Sequence, residues 1–174
     1  MNQLLPGISD KISAVNKQIG SLVSWCSLFL VMLVFSLAVL RYVFKIGSIP
    51  MQELVLYFHG ILFMFGASYT LADDEHVRVD VFYAKMSVRS KALVNLIGCL
   101  LFLLPFCGFI FWMSLDYVLL SWRIGESSSE AGGLPYLFLL KSLILVMPLL
   151  LALQGLAVVL SSLHDLVGTG EKDD

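Results

Sequence analysis

The groups able to do chemistry in this sequence are few, and they gather near the ends of long apolar runs. Arg41 closes the first run and Glu53 opens the second, with a short turn between them. Each lies about ten residues from the middle of its run, hence about 15 Å from a bilayer midplane on the same side. Across the turn they can meet, and an ion pair at a membrane boundary lowers the cost of leaving either charge there. The pair reads as a structural clamp, as two independent interfacial charges, or as a docking point for a partner or a coupled ion.

Three histidines, His59, His76 and His164, raise haem ligation as a second chemistry. A bis-histidine haem needs two such residues at matched depth on facing helices. His59 falls inside the second apolar run, His76 lies beyond its end and His164 ends the fourth, so the depths do not match. Gln154, beside Gly155 in the last run, needs a partner for its amide, and the small neighbour allows close helix approach; interhelical contact is its expected role. Gly60, Gly66, Ala67 and Ser68 form a similar small-residue strip. The cysteines Cys26, Cys99 and Cys107 all sit in apolar runs without a CxxC pair, which reads as small buried hydrophobes. There is no glycine-rich phosphate loop, no HExxH and no Ser, His and Asp set that a solvated site could assemble, so an enzyme is not expected.

The elements that must position these groups follow from composition. Of 174 residues, 59% are hydrophobic and 14% charged, with a mean hydropathy of +0.89. That is more apolar surface than a soluble domain of this length can bury. A net charge of -2 gives no basic footprint, so nucleic acid is an unsuitable partner and membrane lipids a required one. Four segments, at 22–44, 50–72, 92–115 and 137–163, are long enough to cross a hydrocarbon core of about 30 Å, which takes about 20 helical residues. The expected fold is therefore an all-α integral membrane domain of four transmembrane helices.

Ahead of these segments, Leu5, Ile8, Ile12, Val15 and Ile19 recur at helical spacing among polar residues. That pattern predicts an amphipathic helix over 4–20 lying in the membrane interface. Pro50 suits the first turn of helix two, and Glu53 falls where the helix dipole favours a carboxylate. The stretch from Asp73 to Lys91 is the most charged in the chain and belongs in water or among headgroups. Pro105 should kink helix three, and Asp116 marks its expected exit. Arg123 to Gly133 is rich in Ser, Glu and Gly and reads as a solvated loop, after which Lys141 can snorkel from the first turns of helix four. One side collects Lys11, Lys17, Arg78, Lys85, Arg89, Lys91 and Lys172, and the other Arg41, Lys45, Arg123 and Lys141. The richer side should be cytoplasmic, which places both termini inside. The four helices lack two inverted halves with matching broken segments, so an accessory membrane subunit is expected rather than a transporter core. A membrane anchor for a redox enzyme, suggested by the histidines, is the alternative.

From helix one to helix four the chain resembles the small membrane subunit of tripartite ATP-independent periplasmic (TRAP) transporters, the DctQ-like family. The matching elements are Arg41, MQEL at Met51 to Leu54, GASYTLADDEHVRVDVFY from Gly66 to Tyr83, GGLP at Gly132 to Pro135, Lys141, and LQGL at Leu153 to Leu156. Where many members carry a Trp shortly before the Glu of helix two, this chain has Pro50, Met51 and Gln52. The resemblance implies a bacterial inner-membrane heterodimer with a large permease subunit, which holds substrate and sodium and moves like an elevator, and a periplasmic binding protein that delivers the solute. This subunit would enlarge the stationary scaffold and carry no cofactor of its own. The implied docking surface comprises the turn from Arg41 to Glu53 and the loop from Arg123 to Gly133. Gln154, Lys141, and His76 and Asp80 of the HVRVD stretch are the further candidates for contacts to a partner or another helix.

Overall fold

The structure is a computed structural model and describes residues 4–73, 83 and 86–169. Among these every regular element is helical, and four helices are long and apolar enough to cross a membrane. Helix α1 runs without interruption over Leu4–Tyr42. The expected division into an interfacial helix over 4–20 and a crossing helix over 22–44 is therefore corrected to one continuous element. Gly20 and Ser21 do not break it, because an isolated glycine weakens a helix by only about 1 kcal/mol and Tyr69 of the neighbouring helix packs against this turn. The chain leaves α1 through Lys45, whose φ of 61° lies in the left-handed region. Helix α2, Ile49–Ala72, then starts with Pro50 in its first turn.

The third crossing is built of three pieces. Helix α3, Val88–Gly98, is capped by Ser87, whose hydroxyl accepts the Ser90 amide at 3.3 Å. A π-helical turn, Cys99–Leu103, links it to α4, Leu104–Ile124. Pro105 follows directly and has no N–H to offer the preceding turn, so the widened turn is the local answer to the expected kink. The helix does not leave at Asp116. It continues two turns to Gly125, a left-handed C-cap with φ 57°, because Tyr117 and Trp122 still find partners on the last helix. That last helix, α5, spans Leu137–Thr169 and buries Pro148 in its interior.

Helix α5 is the centre of the bundle. It packs against α1, α2 and the whole α3–α4 element, while α1 and α2 also pair with each other. The α3–α4 element leans chiefly on α5, so it turns Phe102, Phe106, Phe109 and Trp112 outward, each more than half exposed. Few apolar side chains are fully enclosed; those that are include Leu71, Cys107 and Leu151, which meet at the junction of α2, α4 and α5. The apolar surface left outside this small core needs a cover of lipid or of other apolar helices.

Candidate partner-docking site

Glu53 stands one turn into α2 and faces the loop between α4 and α5. Its carboxylate accepts the Leu134 amide at 2.6 Å through one oxygen and the Ser128 hydroxyl through the other. The loop closes on itself around these contacts, with Ser128 N–H donating to the Leu134 carbonyl at 3.0 Å and Gly133 N–H to the Glu130 carbonyl at 3.0 Å. Gly133 is required there: a Cβ at this position would fall 2.4 Å from Ser128 Oγ and 2.7 Å from Glu53 Oε1. Gly132, with φ 82°, makes the preceding reversal. One carboxylate thus fixes the shape of a surface loop whose Ser127, Ser129, Glu130 and Ala131 remain exposed.

Arg41 and Glu53 do not form an ion pair. Gln52 and Glu53 are successive residues, about 100° apart around the helix. Gln52 shares a cavity with Arg41 and Lys45, and Glu53 is thereby turned away from it toward the loop. The sequence named both ends of the expected pair, and only the loop partner of Glu53 escaped it, because Ser128 and Leu134 are far along the chain and carry no complementary charge.

Lys141 reaches the same loop from the other side. Its ammonium pairs with Glu126 at 2.5 Å and lies 4.1 Å from the centroid of the Tyr117 ring. The hydrogen bond from Lys141 is the main cause that holds the Glu126 carboxyl below the usual carboxylate range. Beside it, Trp122 Nε1 donates to Ser142 Oγ at 2.8 Å and the Trp122 ring meets Phe138 edge-on. The first turns of α5 therefore grip the end of α4 through an ammonium, a ring face and an indole N–H together.

Gln154 is interhelical, and its partners lie on α1. Asn16 Nδ2 donates to Gln154 Oε1 at 2.9 Å, and Gln154 Nε2 donates to Ser13 Oγ at 3.0 Å. One turn further toward the start of α1, Ser9 Oγ donates to the Ala157 carbonyl at 2.9 Å. Asn16 and Gln154 are each only 2% exposed, so two amides satisfy each other out of reach of water and lipid. The next residue of α1, Lys17, bonds Asp73 just past the end of α2 at 2.6 Å. Gln154 therefore sits level with the end of α2. Gly155 faces Leu103, and Gly60 faces Leu140 and Leu143, whereas Gly66 faces open space and contributes nothing to the strip.

His76 and Asp80 lie outside the described residues. His59 is exposed on the outer face of α2 and stacks on Phe63, with centroids 6.3 Å apart. Because Gly60 lies opposite Leu140 and Leu143, His164 is at least 21 residues further along α5, about 30 Å at 1.5 Å per residue. These two histidines do not share a depth. Among the described residues no group of three or more His, Cys, Asp or Glu side chains is arranged for a metal ion.

The described residues form a helical bundle of membrane-spanning length with a sculpted loop at its surface, and comparison with known proteins gives it a context. A family model described as "Tripartite ATP-independent periplasmic transporters, DctQ component" matches residues 30–165, well over half of the chain. No curated protein and no solved structure matches it.

Proposed function

The chain belongs to the DctQ family, the small membrane component of TRAP transporters, and from that membership we propose that it scaffolds a large permease subunit and helps dock a periplasmic binding protein. The supporting observation is the loop pinned by Glu53 and Lys141. A polar loop held in one shape by two partly buried anchors has little conformational entropy left to lose on binding, which favours a docking role. On this reading the Glu53 end of the bundle is periplasmic, the termini are cytoplasmic, and the membrane is the bacterial inner one. The substrate and its coupling sodium ions bind in the partner subunit, and this chain holds no cofactor. The outward apolar faces, that of α4 above all, are available to the permease and to lipid.

Co-purification tests the proposal directly. A tag on this chain is expected to bring down the large permease subunit in stoichiometric amount, and uptake by reconstituted vesicles is expected to need both. A homo-oligomer of this chain that transports solute without the permease would overturn it. Glu53→Gln is expected to leave that assembly intact while weakening the response of uptake to added binding protein.

A further inference from the structure

Two loops lie at the Glu53 end of the bundle, and they differ in chemistry. The loop from Gly125 to Tyr136 exposes Gly125, Ser127, Ser129, Glu130, Ala131 and Gly132, with Pro135 and Tyr136 open only at its end. The turn from Val43 to Ser48 instead exposes Val43, Phe44 and Ile46, each more than half open, beside two cations. Apolar side chains interleaved with Lys and Arg belong among lipid headgroups, where the stems and rings lie in the acyl boundary and the charges reach outward.

Behind this turn lies a cavity of about 470 Å³ lined by Leu37, Arg41, Lys45, Ile46, Gly47 and Gln52. Arg41 and Lys45 form no ion pair with any described residue, no carboxylate lines the cavity, and Glu53, next to Gln52 in sequence, is engaged by Leu134 and Ser128. Two cations and an amide therefore converge on one volume without an anion of their own. Lys45 adds an independent sign. It occupies the left-handed conformation, φ 61°, at a helix end where glycine would be unstrained. A residue with a Cβ is uncommon in that region and persists where its surroundings hold it there. Gly47, with nothing within 4 Å of its Cβ direction, leaves the mouth of the cavity open.

We propose that this cavity binds the phosphate headgroup of an anionic phospholipid, with Arg41, Lys45 and Gln52 on the phosphate and Leu37 and Ile46 along the start of the acyl chains. A planar guanidinium matches two phosphate oxygens, the ammonium supplies a point charge, and the carboxamide donates without adding charge. The lipid would fill the wedge between α1 and α2 just where the described structure joins them by a short turn, and so would brace the end that carries the pinned loop. The site concerns this chain and the bilayer alone, so it stands or falls apart from the docking proposal.

The test uses the full-length chain in phosphatidylcholine nanodiscs, with increasing phosphatidylglycerol. Lipid retained is read by native mass spectrometry and the thermal unfolding midpoint is read in parallel. Phosphatidylglycerol is expected to raise the midpoint and to be retained in preference to phosphatidylcholine. Lys45→Gly and Arg41→Gln are each expected to weaken that preference about fivefold, the effect of one cation near a lipid surface. Lys45→Gly also relieves the left-handed strain, so without phosphatidylglycerol it should be at least as stable as the parent. Arg123→Gln, which removes an exposed cation outside the cavity, should leave the preference unchanged. Equal retention by the parent and Lys45→Gly would overturn the site. So would inorganic phosphate alone reproducing the midpoint shift, or Lys45→Gly sparing lipid retention while weakening capture of the binding protein.

Discussion

Asn16 and Gln154 meet between two helices, whereas Glu53 meets a loop, and the two regions spend their polar groups differently. Around Asn16 the contacts are neutral, buried and reciprocal, and they tie α1 to α5; Lys17 and Asp73 add a partly exposed tie from α1 to α2. Around Glu53 and Lys141 the contacts are charged and partly exposed, and they tie helices to the segment 125–136. The first arrangement fixes which helices are neighbours. The second leaves the neighbours alone and fixes the shape of a surface. A bundle that had to hold its own form and also present a recognisable face would divide its polar residues in this way.

Substitutions that crowd or unpair the helix junction should cost the most. A Cβ on Gly20 would fall 2.3 to 2.6 Å from three atoms of Tyr69, one of them its own Cβ, so Gly20→Ala forces α1 and α2 apart. Overpacking of this kind costs about 1–3 kcal/mol. Gly66→Ala, where nothing lies within 4 Å, should be neutral or gain up to about 1 kcal/mol of helix propensity. Thermal unfolding of the two variants in one detergent separates a packing glycine from an idle one. Asn16→Leu ranks next. It strands the Gln154 carbonyl in a site that is 2% exposed, at about 1–2 kcal/mol. The double variant Asn16→Leu with Gln154→Leu should regain part of that loss; equal or greater loss in the double variant would show that the amide pair is not the source.

At the loop end the same kind of change should move a different observable. Gly133→Ala would drive a Cβ into Ser128 and the Glu53 carboxylate, and Glu53→Ala removes the acceptor altogether. Amide hydrogen exchange across 126–135 is expected to rise about tenfold or more in both, since the Leu134 amide loses its partner. The unfolding midpoint should stay within about 2 °C of the parent, because no helix-to-helix contact is removed. A large fall in the midpoint with unchanged exchange would erase the distinction between the two regions.

How much of this was legible beforehand depended on periodicity. The four crossings, the first turn at Pro50, the irregularity at Pro105 and the interhelical role of Gln154 all follow from apolar run length and the chemistry of a single residue. The unbroken α1 did not, because an amphipathic stretch that joins an apolar one reads the same whether it lies on a membrane or against another helix; what decides is that Ser9 and Asn16 find α5. The partner of Glu53 was hidden for a related reason. Opposite charge is visible in a sequence, so Arg41 was the natural candidate, whereas a backbone N–H such as that of Leu134 is present at almost every position and signals nothing. Gly133 and Gly20 were likewise indistinguishable from Gly66 until their neighbours were known.

Acid titration should give the smallest effect and also the cleanest contrast. The Lys17 ammonium first, and then a hydrogen bond from Tyr69, hold the Asp73 carboxyl below its ordinary value, and Lys141 does the same for Glu126. A carboxyl depressed in the folded state contributes stability that is present above its unfolded pKa, about 3.9 for Asp and 4.3 for Glu, and is lost as pH falls through the lower folded value. Both ends therefore weaken in acid and neither at neutral pH, but the parent should lose different things at each. Asp73→Asn should unfold at a slightly lower temperature than the parent at pH 7, with the difference closing below about pH 4, since Lys17 is tied to α2 only while Asp73 is charged. Glu126→Gln should instead match the parent in unfolding temperature at both pH values and exceed it in loop exchange at pH 7 alone. If Asp73→Asn differed from the parent equally at pH 7 and pH 3, the α1-to-α2 tie would owe nothing to charge. The helix-joining end would then rest on its buried amides alone.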